Sequence, residues 1–274
     1  MKKYEMKVSI NSDGTLLEET LVRELKKIKL SGFEIDISLD GHNSITNDLF
    51  RGEGTFKKIT KNIKYLDKYG INFNVAWIVN KKNINYISEM AKLSQKIGAK
   101  ALLISDLLPM GRAKNMSDIL LSKNDIKKLI QQAYELYKEY HPSLSIRVGS
   151  PFAFLVDPKN ITNEIRKERK QWRFKQYCGM GFTRLFIAPS GAITPCVFIH
   201  RKLGNIFDNN LEELWNSKEM DELRHIVKNP KGKCSICEYK DICCGCRAVA
   251  LHRTGNIYNE DPRCWYLKGN KTLN

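Results

Sequence analysis

Seven of the eight cysteines in this 274-residue chain fall into a spacing that chance rarely produces. Cys178 is followed by Gly191 after twelve intervening residues, and by Cys196 after four more. Then Cys234-x2-Cys237-x5-Cys243-x2-Cys246 packs two CxxC pairs together, with Cys244 wedged inside the second, and "DPRC" supplies Cys264. A chain of this length buries most of its unfolded surface and needs no disulfide staples. The thiols therefore call for a chemical role. Structural zinc takes tetrahedral sets of four thiolates, and Cys234, Cys237, Cys243 and Cys246 alone would satisfy it. Iron–sulfur clusters also take four thiolates each, so seven cysteines and one further ligand would hold two. His200, four residues after Cys196, and His252 are the histidines positioned to supply such a ligand.

The elements that must position these groups follow a simple grammar at first. Short β-branched runs at 7–11, 33–38, 72–79 and 101–105 read as strands. Between them, Leu17, Leu21, Leu25 and Ile28, then Phe56, Ile59, Ile63 and Leu66, then Ile87, Leu93 and Ile97 recur at helical spacing. Thr55 reads as an N-cap, and Gly70 and Gly98 as C-terminal caps. Such βα steps predict a parallel sheet with outer helices and functional residues at the carboxyl ends of the strands. One more helix is expected from Ser122, with Asp125 three residues on, to Pro142. Beyond it the alternation ends. The charged stretch 158–176 reads as a linker or docking helix, and from Cys178 the sequence turns to cysteines, glycines and short strands.

At these residues the sequence resembles the radical S-adenosylmethionine enzymes that carry a SPASM domain. The cysteine pattern bears the likeness, with "IAPSGAITPC" (187–196), "LGNIFDNNLEELWNS" (203–217) and the stretch from Cys237 to Cys264. Upstream, "ISLDG" (37–41), "RGEGTF" (51–56) and "LLPMGRA" (107–113) are similar to landmarks of the radical enzymes' barrel. The resemblance implies an α/β fold: a partial (β/α)6 barrel over 1–150, a linker or docking segment over 151–177, and a small cysteine-rich α+β SPASM domain over 178–274. It implies two auxiliary [4Fe-4S] clusters, the inner on Cys178, Cys196 and Cys246 and the outer on Cys234, Cys237, Cys243 and Cys264. The family usually leaves three residues between the third and fourth cysteines of the second group; here there are two, so Cys244 can take either role.

The same resemblance points to Ser38 and Asp40 for contacts to the methionine carboxylate or ribose of S-adenosylmethionine. It points to Arg51 for a two-pronged grip on that carboxylate, and to Asn80 and Arg112 at the next strand ends. The radical-generating CxxxCxxC of the family does not occur, since no cysteine precedes Cys178. "SINSDGTLL" (9–17) is similar to the third strand and its turn, with Asp13 where the family has asparagine. The expectation is an open, incomplete barrel, either a truncated reading frame or the second piece of a split enzyme whose N-terminal half is supplied by a separate chain, and which alone does not cleave S-adenosylmethionine.

Members of the family modify peptides, sulfatase residues or tetrapyrrole precursors; Val197 after Cys196, where the sulfatase branch carries an acid, counts against that branch, and the wording from Cys237 to Cys264 looks closest to the haem-pathway and related branches. The auxiliary clusters would oxidise a substrate radical or anchor the substrate. The contrasting class is a non-catalytic module, an iron–sulfur electron carrier or a zinc-binding protein built from a truncated radical enzyme. Composition narrows the partners. Forty-six Lys and Arg against 30 Asp and Glu give 46 − 30 = +16, with 42% apolar residues, which excludes disordered, collagenous and low-complexity chains. The basic balance suits a carboxylate-rich tetrapyrrole, an acidic peptide, or an acidic electron donor such as flavodoxin or ferredoxin. The lysines are spread along the chain with no basic, aromatic-interleaved run, so nucleic acid is not indicated. Neither a signal peptide nor a membrane span is readable, which places the protein in the cytoplasm.

Overall fold

The computed structural model describes residues 6–28, 32–168 and 177–266. The chain divides into two compact units, one built from residues up to 107 with 117–149, the other from 108–116 and those from 150 onward.

In the first unit, β1 (Ser9–Ser12), β2 (Glu34–Ser38), β3 (Phe73–Val79), β4 (Ala101–Asp106) and β5 (Ser145–Val148) form one all-parallel sheet in chain order. Between them run α1 (Glu19–Lys27), α2 (Ser44–Arg51), α3 (Thr55–Lys68), α4 (Ile87–Lys96) and α5 (Lys123–Tyr140). The order 1-2-3-4-5 is an unclosed arc, as an incomplete barrel requires. β3, in the middle, buries Phe73, Val75, Trp77 and Val79, alternate residues that share one face, while Ala76 and Ile78 on the other face are half-buried beside buried Asn74. Each of the four buried apolar side chains contributes about 1.5–3 kcal/mol by leaving water. β1 is bonded on one side, to β2, and three of its four residues are exposed.

Several local readings hold and several shift. Gly70 and Gly98 end their helices with φ of 60° and 82°, and the Ser122–Asp125 capping box opens α5 with reciprocal bonds of 2.9 and 3.2 Å. The fifth strand and α2 are additions to the sequence reading. Thr55 is not the N-cap of α3: Gly54 holds that position, and the orphan N–H groups of Gly54 and Phe56 donate to the Asp48 carboxylate, each at 2.8 Å.

The second unit opens with α6 (Pro158–Glu168), so the charged stretch is helical over its described part; 169–176 lie outside the described residues. Beyond come a small antiparallel sheet, β6 (Phe186–Ile187), β7 (Ala192–Thr194) and β8 (Gly204–Asn205), and the helices α7 (Leu211–Trp215), α8 (Lys218–Lys228) and α9 (Arg247–Thr254). Their core gathers Met180, Ile193, Ile199, Leu214, Met220, Leu223, Val227, Cys244 and Ala248. Gly191, at φ 81°, makes the β6–β7 turn; a Cβ there would stand 2.6 Å from Phe207 and from the Asn205 Oδ1. No helix among the described residues is long and apolar enough to cross a membrane.

Candidate metal centre and cofactor pocket

The eight thiols sort into two neighbourhoods. Cys234, Cys237, Cys243 and Cys264 border one cavity of about 390 Å³ in the second unit. Its remaining wall is mostly apolar, with Phe152, Phe154, Leu155, Ile236, Tyr239 and Tyr266. Edge-to-face contacts Phe154–Tyr239 at 5.1 Å and Tyr239–Tyr266 at 5.0 Å brace that wall. The Tyr266 hydroxyl donates to Glu238, which holds its proton well above the ordinary range. Burial raises all four thiols, Cys243 to about 12 and Cys264 to about 11.

The second neighbourhood centres on Cys178. The Cys244 thiol hydrogen-bonds to it and holds it below the usual thiol range, while Cys196 and Cys246 feel its charge. Burial pushes Cys246 to about 11. Cys178, Cys196 and Cys246 pack against the core to which fully buried Cys244 belongs. Cys244 also donates to the Gly245 carbonyl at 3.5 Å. The two candidate histidines are both exposed, and the His252 Nε2 lies 2.8 Å from the Phe198 carbonyl.

Main-chain donors point at the sulfurs in a repeated way. Cys178, Cys196, Cys237, Cys243 and Cys264 each receive the N–H of the residue two positions on; the Phe198 and Gly245 bonds measure 3.5 and 3.4 Å. Such N–H groups favour the thiolate and tune clusters bound to it. Among the described residues no three Cys, His, Asp or Glu side chains converge on one metal-ion position. Four thiols around a cavity are instead the donor set of a cluster in which each thiolate binds its own iron, and the residues fit that group. Binding would have to displace the thiol protons.

Between the two neighbourhoods stands a charged network that the sequence reading missed. Arg247 and Asp261 are 0% exposed and Arg263 is 2% exposed. Asp261 accepts from Arg263 at 3.0 Å (Nε) and 2.7 Å (Nη2), and from the backbone N–H of Cys246 at 3.0 Å; its own N–H donates to Cys234. Arg247 donates through Nη1 to the carbonyls of Ile257 (2.9 Å) and Asn259 (2.8 Å), and through Nη2 to that of Cys244. Gly245, at φ 66°, permits the approach: a Cβ would lie 2.8 Å from the Asp261 Cβ. The "DPRC" tetrapeptide and the arginine after Cys246 were the available signals.

In the first unit, three of the five candidate cofactor residues meet around the ends of β2 and α2. The Arg51 Nε lies 2.8 Å from the Asp40 Oδ2, with side chains 21% and 12% exposed. Burial raises the Asp40 carboxyl, opposed by Arg51 and by the Ile78 N–H that donates to it at 3.0 Å. Ser38 ends β2, opposite Ala76. Gly41 follows because α2 begins against it; a Cβ there would stand 2.3 Å from the Asn47 nitrogen. Asn80 is buried at the end of β3, where its Oδ1 accepts the Lys82 N–H at 2.9 Å, a turn-capping role. Asn83, absent from the sequence reading, accepts the Asn80 N–H at 2.8 Å and donates to the carbonyls of Asp40 (3.1 Å) and Ile78 (3.0 Å). Arg112 is exposed on a short 3-10 helix, Gly111–Asn115, that groups with the second unit.

Comparison with known proteins agrees with both halves. Residues 178–247 match the SPASM iron–sulfur cluster-binding domain and residues 1–94 match the radical SAM superfamily. An AdoMet-dependent heme synthase of Methanosarcina barkeri is 30% identical over 97% of this chain and 76% of its own length. Among solved structures, anSMEcpe with bound AdoMet superposes with a TM-score of 0.74 at 20% identity, covering 94% of this chain and 70% of that one. Streptococcus suis SuiB bound to its precursor peptide SuiA gives 0.74 at 18%, covering 96% and 60%. The chain belongs to the radical SAM superfamily, in its SPASM-bearing branch, a family of iron–sulfur and S-adenosylmethionine proteins.

Proposed function

We propose that this chain works in the radical-mediated modification of a tetrapyrrole or peptide precursor, with two auxiliary [4Fe-4S] clusters held by the second unit. Cys234, Cys237, Cys243 and Cys264 take the outer cluster and Cys178, Cys196 and Cys246 the inner. The observation that carries this reading is the single cavity bordered by all four outer thiols. When bound, such clusters supply one-electron chemistry or an anchoring iron. The chain's own contribution is to hold the thiolates in place, aim main-chain N–H groups at the sulfurs, and keep water out with the aromatic wall.

In the first unit, Asp40 holds Arg51 by its Nε edge, so the amino face of the guanidinium is the part that would meet the carboxylate of S-adenosylmethionine. Ser38 would contribute from the end of β2, and Asn80 would shape the adjoining turn. The 30% identical heme synthase favours a tetrapyrrole over a peptide, and the net charge of +16 suits a carboxylate-rich substrate of either kind. An acidic flavodoxin or ferredoxin suits the same basic chain as electron donor.

The test is anaerobic purification and reconstitution of the full chain. Broad visible absorption with about eight irons per chain is the expected result. Colourless protein carrying stoichiometric zinc overturns the reading and favours the non-catalytic module.

A further inference from the structure

Arg247 is fully buried, and its charge has no carboxylate partner among the described residues. The one buried carboxylate beside it, Asp261, is held by Arg263 through two bonds. The Arg247 Nη groups reach three main-chain carbonyls, but its Nε has no hydrogen-bond partner. A buried, incompletely satisfied cation is costly unless an anion lies near. The guanidinium adjoins both thiol neighbourhoods: it bonds the carbonyl of Cys244, follows Cys246 in the chain, and acts on Cys178 on one side and Cys234 on the other.

We propose that Arg247 is the shared counter-ion of the two cluster sites, a positioning residue whose charge is matched by the thiolate-ligated clusters and which raises the reduction potential of both. The inference rests on the iron–sulfur reading above. Each cluster, on reduction, takes one electron from an external donor and gains one negative charge, and net charge near a cluster is a main determinant of its potential. A fixed cation within reach of both sites favours the reduced form of each. It also accounts for a buried arginine in a position where its carbonyl bonds alone leave the charge uncompensated.

The experiment uses the full chain, reconstituted anaerobically, with Arg247→Met and Arg247→Lys variants, and follows dithionite titration by electron paramagnetic resonance. Arg247→Met is expected to shift both cluster potentials negative at unchanged iron content. Arg247→Lys, which keeps the charge without the forked carbonyl bonds, is expected to stay near the parent. A second measurement covers the case in which the Met variant loads poorly. Metal-free Arg247→Met should resist denaturation at least as well as metal-free parent, because an uncompensated charge has gone, and should gain less on loading. Unchanged potentials in a fully loaded Met variant overturn the proposal. So does a Lys variant shifted as far as the Met variant, or a metal-free Met variant clearly weaker than its parent. A parent chain that binds no iron overturns the underlying reading instead, before any variant is made.

Discussion

Asp261 receives the backbone N–H of Cys246 on its side chain and gives its own backbone N–H to Cys234, so one buried residue touches both cysteine sets. Its carboxylate is also the partner of Arg263, which stacks over the Phe152 ring with 5.8 Å to the centroid. The spacing of the two sites is thus fixed by a residue that is not itself a thiol.

Replacing Asp261 by Asn should therefore be among the most damaging single changes outside the cysteines. It leaves the Arg263 guanidinium buried with half its acceptor gone, and breaking a buried pair from one side costs about 3–5 kcal/mol. Chemical denaturation of the full chain measures this. The double variant Asp261→Asn/Arg263→Met should recover part of the loss, since both charges are then absent; strictly additive losses would show that the pair does not act as a unit.

The cysteine sets predict separable metal losses. Cys264→Ser should remove about four irons per reconstituted chain, and Cys196→Ser a different four, distinguished by their paramagnetic signals. Cys244→Ala should leave the iron count unchanged and lower stability by about 1–2 kcal/mol, because it deletes a buried sulfur from a packed core. Loss of iron in that variant would make Cys244 a ligand.

Part of the thiol grouping was readable from spacing, because the Cys234–Cys237 turn presents two thiols to one cavity; the second CxxC does not, since Cys243 borders that cavity and Cys246 packs with Cys178 and Cys196. Arg247, Asp261 and Arg263 were not readable, because a charged residue beside a cysteine reads as surface until the segment from Ile257 to Cys264 folds back over it. The same distinction operates in the first unit. Four strands announced themselves by β-branched runs, whereas β5 has four residues and follows directly on a long helix. Thr55 had the right type for a cap, but Asp48, seven residues upstream and outside the apparent helix, occupies the donors. Arg51 was read as a grip for the cofactor from the family resemblance and the fork of its guanidinium; its pairing with Asp40 depends on α2, which the periodicity did not reveal.

Asp40 predicts a pH dependence. Burial raises its carboxyl above the ordinary 3.8 despite Arg51, so the folded state binds the proton more tightly than the unfolded chain. The sign follows: this group's contribution to stability is greatest below 3.8 and declines as pH rises through the elevated folded value, then stays level. Asp40→Asn keeps an acceptor for the Ile78 N–H and removes the titration. Parent-minus-variant stability, measured by urea unfolding across the acid range, should fall with rising pH; a rise would mean that Arg51 outweighs burial.

Gly245 must hold φ 66° while a Cβ on it would meet the Asp261 Cβ. Gly245→Ala adds the left-handed penalty of a residue with a Cβ, roughly 1–2 kcal/mol, and a contact at 2.8 Å with a rigid, doubly bonded Asp261 that has no room to withdraw. The strain falls on the segment joining Cys243 to Cys246, one thiol from each set, and on the N–H that Gly245 donates to the Cys243 sulfur. The variant should therefore lose iron from both sites in reconstitution, unlike the single cysteine changes, which empty one. Selective loss at one site would place the strain on that side of the glycine alone, and an undisturbed iron count would mean that Asp261 gives way without moving either set of thiols.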